Sequence, residues 1–381
     1  MRMEIFAESL ADICMHSAAA PGRSLRWVVI ANPTAGGFVL PSRWKKCLAA
    51  LEKSRAAART NPLREDCSPA GISAKFSHQT DLASNGLIPT DGAGSAAKIT
   101  RALLEEAETA PDGGGVPFYL IIAAGGDGTS LEALSVLYHA SLELRSNIAV
   151  VRLPMGTGND GADSPELAAA LELLIRPSRV EFTPALRLLT AQGGPANALA
   201  ESKGPFLAFN ILSTGLDAFV THMTNKMKGK LPGDFYKLWV DIASLLYDSL
   251  YTVGVLDVRA LDWNGGEVVS LKEKLLLLAV GISGHRTYGS QKKILPDDRN
   301  VCAVRQMPLL RKLALKGLFT TGAHIDKPES ILFSANRVEF SGSYPILAQM
   351  DGETVLLQPE DFPAAIELTG PVIPVLRILQ R

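Results

Sequence analysis

Between residues 26 and 176, short apolar runs alternate with longer stretches of helical spacing. "RWVVIAN" (Arg26 to Asn32) is a β-branched run closed by Pro33, Gly36 and Gly37, and it predicts a buried strand followed by a loop. "SRWKKCLAALEKSRAAA" predicts a helix, and "AKFSHQT" a second strand. "GSAAKITRALLEEAE" has the spacing of an amphipathic helix. "PFYLIIAA" and "NIAVVRLP" read as strands, and "SLEALSVLYHAS" and "SPELAAALELLIR" as the helices after them. Strands that alternate with helices build βαβ units on a parallel sheet.

Beyond Pro177 the pattern changes. "VEFTPALRLLTAQ", "PFLAFNILST", "YTVGVLDVRALDW", "KLLLLAVGIS", "NVCAVRQM", "RVEFSGSYPILAQMD", "TVLLQ" and "AAIELTG" are strand-like, and helical spacing returns only between Phe219 and Leu246. The expected fold class is therefore α/β plus β: an α/β domain with a parallel sheet, then a mostly antiparallel β domain. The expected boundaries are an N-terminal extension over 1–25, the α/β domain over 26–178 and the β domain over 179–381.

The totals narrow this picture. At 381 residues the chain exceeds one typical core. Hydrophobic residues at 47% and charged residues at 20% are a globular composition. A net charge of -1 supplies no overall field toward nucleic acid, so no nucleic-acid partner is expected. The longest strongly apolar run, "LLLLAVGI" from Leu275 to Ile282, is far short of the roughly 20 residues of a spanning helix and reads as a buried strand. Acids interrupt the apolar start "MRMEIFAESLADICMHS", which makes a secretory leader a poor reading. Cys14, Cys47, Cys67 and Cys302 form no CxxC pair, and the histidines at 16, 78, 139, 222, 285 and 324 have no metal-ligand spacing. A reducing cytoplasm is the simplest location.

The candidate chemistry lies at three strand ends. "NPTAGG" follows the first strand, "GGDGT" the run "FYLIIAA", and "MGTGND" the run "NIAVVRLP". Ligands of open parallel sheets bind beyond the carboxyl ends of the strands. Glycine lets backbone N–H groups approach a ligand with no Cβ in the way, and a helix N-terminus adds partial positive charge. Three such turns on one edge predict a phosphate cradle. Asp127 would repel a bare phosphate; it fits a Mg²⁺ held between the two, which Asp160 could share. "TSLE" (Thr129 to Glu132) also fits a capping box, with Glu132 reaching back. Neither GxxxxGK[ST] nor a strand-borne GxGxxG occurs at these turns.

In "QMDGETVLL", Asp351-Gly352 fits a hairpin turn. Asp351 equally fits a general base that takes a hydroxyl proton during phosphoryl transfer. Lys226, Lys228 and Lys230 beside Met223 and Met227 read as a solvated face or as a basic surface that touches a membrane.

"NPTAGG", "GGDGTSLEAL" and "PMGTGND" in this order, with "QMDGE" near the end, resemble the diacylglycerol kinase catalytic family of lipid kinases. "FNILSTGLDAFV", "GDFYKLW" and "TTGAH" are similar to its substrate-domain segments. The resemblance runs from about Val28 to Leu379 and places the chain in the superfamily that also holds the NAD kinases. It implies a Rossmann-like nucleotide domain, a C-terminal antiparallel β-sandwich that takes the lipid, and an active site in the cleft between them. It implies an ATP- and Mg²⁺-dependent transferase of lipid and phospholipid metabolism that phosphorylates a lipid hydroxyl, cytoplasmic and peripheral at the membrane surface. Dimers occur in the family, which leaves a homodimer open.

By motif, Asn32, Gly125, Gly126, Asp127, Gly128, Thr129, Gly156, Thr157, Gly158 and Asn159 would hold the nucleotide. Asp351 would be the general base and Glu353 a carboxylate near it. Asp127, Asp160 and Asp298 would serve metal. The chain departs from the family where Gly161-Ala162-Asp163 replaces a segment ending in Ala-Arg, which removes a basic residue expected near the phosphates. Asp91 is the candidate for an acidic position before the helix that precedes GGDGT. A metal loop is shortened to "PDDRN", with Asp297 and Asp298. The alternatives are an NAD kinase-type enzyme and a catalytically weak lipid-binding relative.

Overall fold

The computed structural model describes residues 1–64, 85–109, 117–156, 158–191, 206–227, 247, 253–288 and 292–379. The expected strand "AKFSHQT" and the segment "GDFYKLW" lie outside them, as do Lys228, Lys230 and Thr157. The chain divides into two compact units, one of Met1–Thr183 with Pro371–Arg381, the other of Pro184–Gly370.

The first unit is built on β1 (Leu25–Ala31), β2 (Gly86–Pro89), β3 (Phe118–Gly125), β4 (Ile148–Pro154) and β5 (Ser178–Thr183). Helices α1 (Arg2–Met15), α2 (Gly36–Val39), α3 (Pro41–Ala58), α4 (Ser95–Thr109), α5 (Asp127–His139), α6 (Leu142–Ser146) and α7 (Leu167–Ile175) belong to it. Strands β2-β1-β3-β4 run parallel, as the alternating pattern requires. Every residue of β3 is buried, which is why its sequence is a continuous apolar run rather than an alternation.

Two features of this unit depart from the expected boundaries. Residues 1–25 are not a bare extension, because α1 buries Phe6, Leu10, Ile13 and Cys14 in the same core as β1 and β3. Each such side chain contributes about 1.5–3 kcal/mol on burial, which stabilises a helix too short to persist alone. The second departure is at the other end of the chain.

The second unit holds β6 (Leu186–Leu189), β7 (Phe206–Ala208), β8 (Ile211–Gly215), α8 (Leu216–Met227), β9 (Val255–Leu261) and β10 (Glu267–Gly281). It continues with β11 (Arg286–Tyr288), β12 (Lys292–Leu295), β13 (Val301–Arg305), α9 (Leu309–Thr321) and β14 (Ser330–Phe333). It closes with β15 (Arg337–Ser341), β16 (Ile346–Met350), β17 (Glu353–Leu357) and β18 (Ala364–Leu368). Its main sheet is antiparallel, in the order β17-β16-β8-β10-β9-β15-β18-β6-β7, with β13 and β14 branching from β10. The long strand β10 joins the two halves: Glu267 to Lys274 pairs with β9, and Leu277 to Gly281 pairs with β8. The sheet curls so that residues of both halves, such as Val258, Leu278, Phe340 and Ala348, share one core. The apolar run at Leu275 is thus the buried half of a strand, as expected.

The last strand, β19 (Ile373–Ile378), returns to the first unit. It lies between β4 and β5, parallel to the former and antiparallel to the latter. Residues 371–381 therefore complete the first sheet instead of extending the β domain. The fold class is α/β plus antiparallel β.

Candidate functional site

In the first unit the carboxyl ends of β1, β3 and β4 lie side by side, and their turns are in contact. Asn32, just past β1, donates its N–H to the Ala124 carbonyl of β3 at 3.0 Å. Its Oδ1 accepts from the Thr34 N–H and hydroxyl at 3.0 and 2.8 Å, so its side chain shapes the first turn. Gly37 then donates to the Met155 carbonyl at 2.8 Å and ties this turn to the one after β4.

The two other turns meet backbone to backbone. A Cβ on Gly156 would lie 2.5 Å from the Cα of Gly126. A Cβ on Gly125 would lie 2.3 Å from Oγ1 of Thr129. Glycine is required at both places because a neighbouring turn occupies the space. Arg43 of α3 donates to the Gly156 carbonyl at 2.8 Å and holds the second turn from outside.

Asp127 opens α5, where its charge complements the helix N-terminus. Its Oδ1 accepts the Gly161 N–H at 3.0 Å. A Cβ on Gly158 would lie 3.1 Å from Oδ2 of Asp127 and 3.4 Å from Oδ2 of Asp160. The two carboxylates therefore converge on Gly158. Asn159 has a left-handed φ of 58°, and its Nδ2 donates to Pro154 at 3.2 Å. Its Oδ1 is buried and has no hydrogen-bond partner among the described residues. Two converging carboxylates and an unsatisfied amide oxygen suit a hard cation that keeps water and phosphate ligands. Among the described residues no group of three His, Cys, Asp or Glu side chains could hold a metal alone.

The expected capping box does not form. The N-cap of α5 is Gly126, and Thr129 lies one turn inside the helix, buried against Gly125. Glu132 does not reach back. Its carboxylate accepts the N–H groups of Gly94 and Ala96 at 2.7 and 3.0 Å and so caps α4. Asp91 sits just before that cap and donates its N–H to the Ser95 hydroxyl.

A basic residue that sequence reasoning missed stands next to this loop. Arg152 of β4 is 9% exposed. Asp163 accepts from its Nη2 at 2.8 Å, its Nε at 3.2 Å and its backbone N–H at 2.7 Å. The Nη1 of Arg152 would lie 4.0 Å from a Cβ on Gly161. The acid at position 163 is thus paired with an arginine from the strand. An Arg152→Met protein is expected to lose about 3 kcal/mol of stability, because removing one partner strands the other charge in the interior. Urea denaturation checks this, and an unchanged midpoint contradicts it.

In the second unit, Asp351 and Gly352 form the turn between β16 and β17, both with positive φ, 47° and 102°. That is the geometry of a two-residue hairpin turn. The Asp351 side chain is not turned to solvent. It is 7% exposed, and its carboxylate accepts three backbone N–H groups. Oδ1 takes Asn210 and Ile211 at 3.1 and 2.9 Å, and Oδ2 takes Phe209. Asp351 thereby fixes the chain where β7 passes into β8. Glu353 is exposed at the start of β17.

Beside this turn lies a buried polar network. Gln349 accepts the Gly352 N–H at 3.1 Å and donates to the Ser213 hydroxyl at 2.9 Å. Ser213 donates to Asp217 in the first turn of α8 at 2.6 Å. His222 of α8 meets the Thr354 hydroxyl at 3.2 Å, and burial, then Lys226, pushes its pKa below the ordinary value. Elsewhere in this unit Asp298 pairs with His285 at 2.9 Å. Asp297 bonds to Arg299, whose guanidinium holds its carboxyl below the usual range. Asp298 therefore sits in a different unit from Asp127 and Asp160.

Residues 26–181 match the diacylglycerol kinase catalytic domain. The matched segment contains all three glycine turns, and the resemblance read from their order is borne out. The family of that match is one of kinases, and the fold of this chain has solved counterparts. A crystal structure of a candidate diacylglycerol kinase from Bacillus anthracis str. Sterne is similar with a TM-score of 0.54 and 17% identity, over 92% of this chain and 94% of that one. A second structure of a candidate diacylglycerol kinase from the same organism gives a TM-score of 0.53 and 17% identity, over 92% and 96%. At that identity the likeness speaks for the two-domain fold. No curated protein sequence matches the chain.

Proposed function

We propose that this protein is an ATP-dependent lipid kinase that transfers the γ-phosphoryl group to a lipid hydroxyl, with diacylglycerol or a related lipid as acceptor. The observation that carries this reading is the backbone contact of the GGDGT and GTGND turns inside the matched kinase segment. Glycine turns packed this closely at strand ends expose N–H groups on a surface suited to phosphate oxygens.

In this reading the three turns bind and orient the nucleotide phosphates. Mg²⁺, when bound, supplies charge neutralisation, and Asp127 and Asp160 would hold it together with phosphate and water. Asp351 takes the hydroxyl proton as the acceptor oxygen attacks phosphorus. The backbone donors Phe209, Asn210 and Ile211 fix the orientation of that carboxylate. Among the described residues no helix is long and apolar enough to cross a membrane. The lipid would then be met at a membrane surface.

The test is transfer of labelled phosphate from ATP to a panel of diacylglycerol, ceramide, sphingoid base and polyprenol in detergent micelles, with NAD as a water-soluble acceptor. Label in one lipid class is the expected result. Label in NAD alone would replace the acceptor. Tight lipid binding with no label anywhere would mean a non-catalytic relative.

A further inference from the structure

Helix α8 follows β8 directly and packs on β16 and β17, the hairpin that carries Asp351. Its apolar side is anchored by Ala218 and Phe219, which share a buried core with Leu276 and Leu347. Three polar side chains at four-residue spacing lie together on the helix, and each reaches out of it. Asp217 accepts from the Ser213 hydroxyl at 2.6 Å, Thr221 meets the Tyr288 hydroxyl at 2.8 Å, and Asn225 donates its Nδ2 to the Gly352 carbonyl at 2.8 Å.

Gly352 is thus held on both sides. Gln349 accepts its N–H at 3.1 Å, and Asn225 donates to its carbonyl. The Gln349 side is tied back to the same helix, through Ser213 to Asp217. The turn needs such support. Strand β17 ends its sheet, so the hairpin is paired on one side only. Asp351 is a non-glycine residue in the left-handed region, a conformation that persists only where the surroundings fix it. The N–H groups of 209–211 hold its carboxylate, whereas α8 holds the backbone of the turn. Asn225 itself is exposed, so its bond to a carbonyl adds little to stability. What that bond sets is the direction of the turn.

We propose that Asn225 is a positioning residue, which through Gly352 holds Asp351 where its carboxylate meets the acceptor hydroxyl. This rests on the reading of Asp351 as the base. A base must stay within hydrogen-bond reach of the proton it takes, and a displacement of about 1 Å costs up to about 100-fold in rate.

The experiment pairs transfer kinetics with hydrogen exchange at Gly352 in the full chain. The acceptor is diacylglycerol in micelles, or whichever lipid of the panel takes label. Asn225→Ala should lower kcat about tenfold with an unchanged KM for ATP and an unchanged urea midpoint. The Gly352 amide should exchange about tenfold faster. Added to Asp351→Asn, the same change should slow the residual transfer no further, because Asn225 acts through that carboxylate alone. Thr224→Ala is the control: its hydroxyl bonds only to Val220 within the helix, and it should match wild type in both readouts. Asn225→Asp, equal in size and without the donor, serves if the alanine variant misfolds.

Unchanged exchange at Gly352 overturns the proposal whatever the activity. Faster exchange with wild-type kcat overturns it as well, since the hold would then be structural only. A further loss in the Asp351→Asn background overturns the route through Asp351. Faster exchange in a protein whose wild type transfers to no acceptor supports the hold on the turn and refutes the kinase reading.

Discussion

An Asp351→Asn protein is expected to transfer phosphate about 10³-fold more slowly than wild type and to be about 2 kcal/mol less stable. The two losses have different origins. As a base, Asp351 acts through one oxygen, and an amide there cannot take a proton. As a structural group, its carboxylate accepts Phe209, Asn210 and Ile211 together. Both oxygens are engaged, so either orientation of an amide points its NH₂ at a backbone donor. The backbone itself is kept, because Asn tolerates the left-handed conformation that Asp351 adopts at φ 47°. Urea denaturation reads the second loss, and transfer measured well below the melting temperature reads the first. Wild-type transfer by the folded variant would remove Asp351 from the chemistry. Unchanged stability would contradict its hold on the β7–β8 passage.

A Gly156→Ala protein is expected to lose at least about 100-fold in ATP affinity, some 2.7 kcal/mol. The added methyl would fall 2.5 Å from the Cα of Gly126. Both partners are backbone, so no side-chain rotation relieves the overlap and the turns must part. Parting them moves the N–H groups of both turns away from a common phosphate. Gly92→Ala is the matched control, since its Cβ would meet nothing within 4 Å. Calorimetric titration of ATP into each protein checks the pair. Equal affinity for Gly156→Ala would mean that the contact does not shape a binding site.

What could be read in the sequence was local. The three glycine turns are short and carry their conformational demand in their own residue types, so their order pointed to the fold and the family. The expected strands at "FYLIIAA" and "LLLLAVGI" appear as β3 and in β10 because continuous burial needs only a continuous apolar run. Features made by distant partners were not legible. Residues 371–381 follow the β domain directly in the chain and were expected to extend it, yet β19 is held between β4 and β5 in the first sheet. Glu132 matched a capping box in its own helix and instead caps α4, because Gly126 already begins α5. The donors to Asp351 lie about 140 residues earlier in the chain, where no spacing rule links them. The Arg152–Asp163 pair joins a strand to a loop, so only the departure at Asp163 was visible, without the arginine that answers it. Helix α1 was the exception: Phe6, Leu10, Ile13 and Cys14 follow helical spacing, and the signal was present but unused.

The central claim is that the turns around Asp127 bind nucleotide phosphates through a shared cation. It is tested most directly by titrating ATP into the wild-type protein with and without Mg²⁺, and repeating this with Asp127→Asn. Asn keeps an acceptor for the Gly161 N–H and removes only the charge. The account predicts saturable binding that weakens about tenfold or more without Mg²⁺, and an Asp127→Asn protein that has lost the Mg²⁺ dependence. Absence of ATP binding by wild type, or an Asp127→Asn protein with wild-type affinity and wild-type Mg²⁺ dependence, would contradict it.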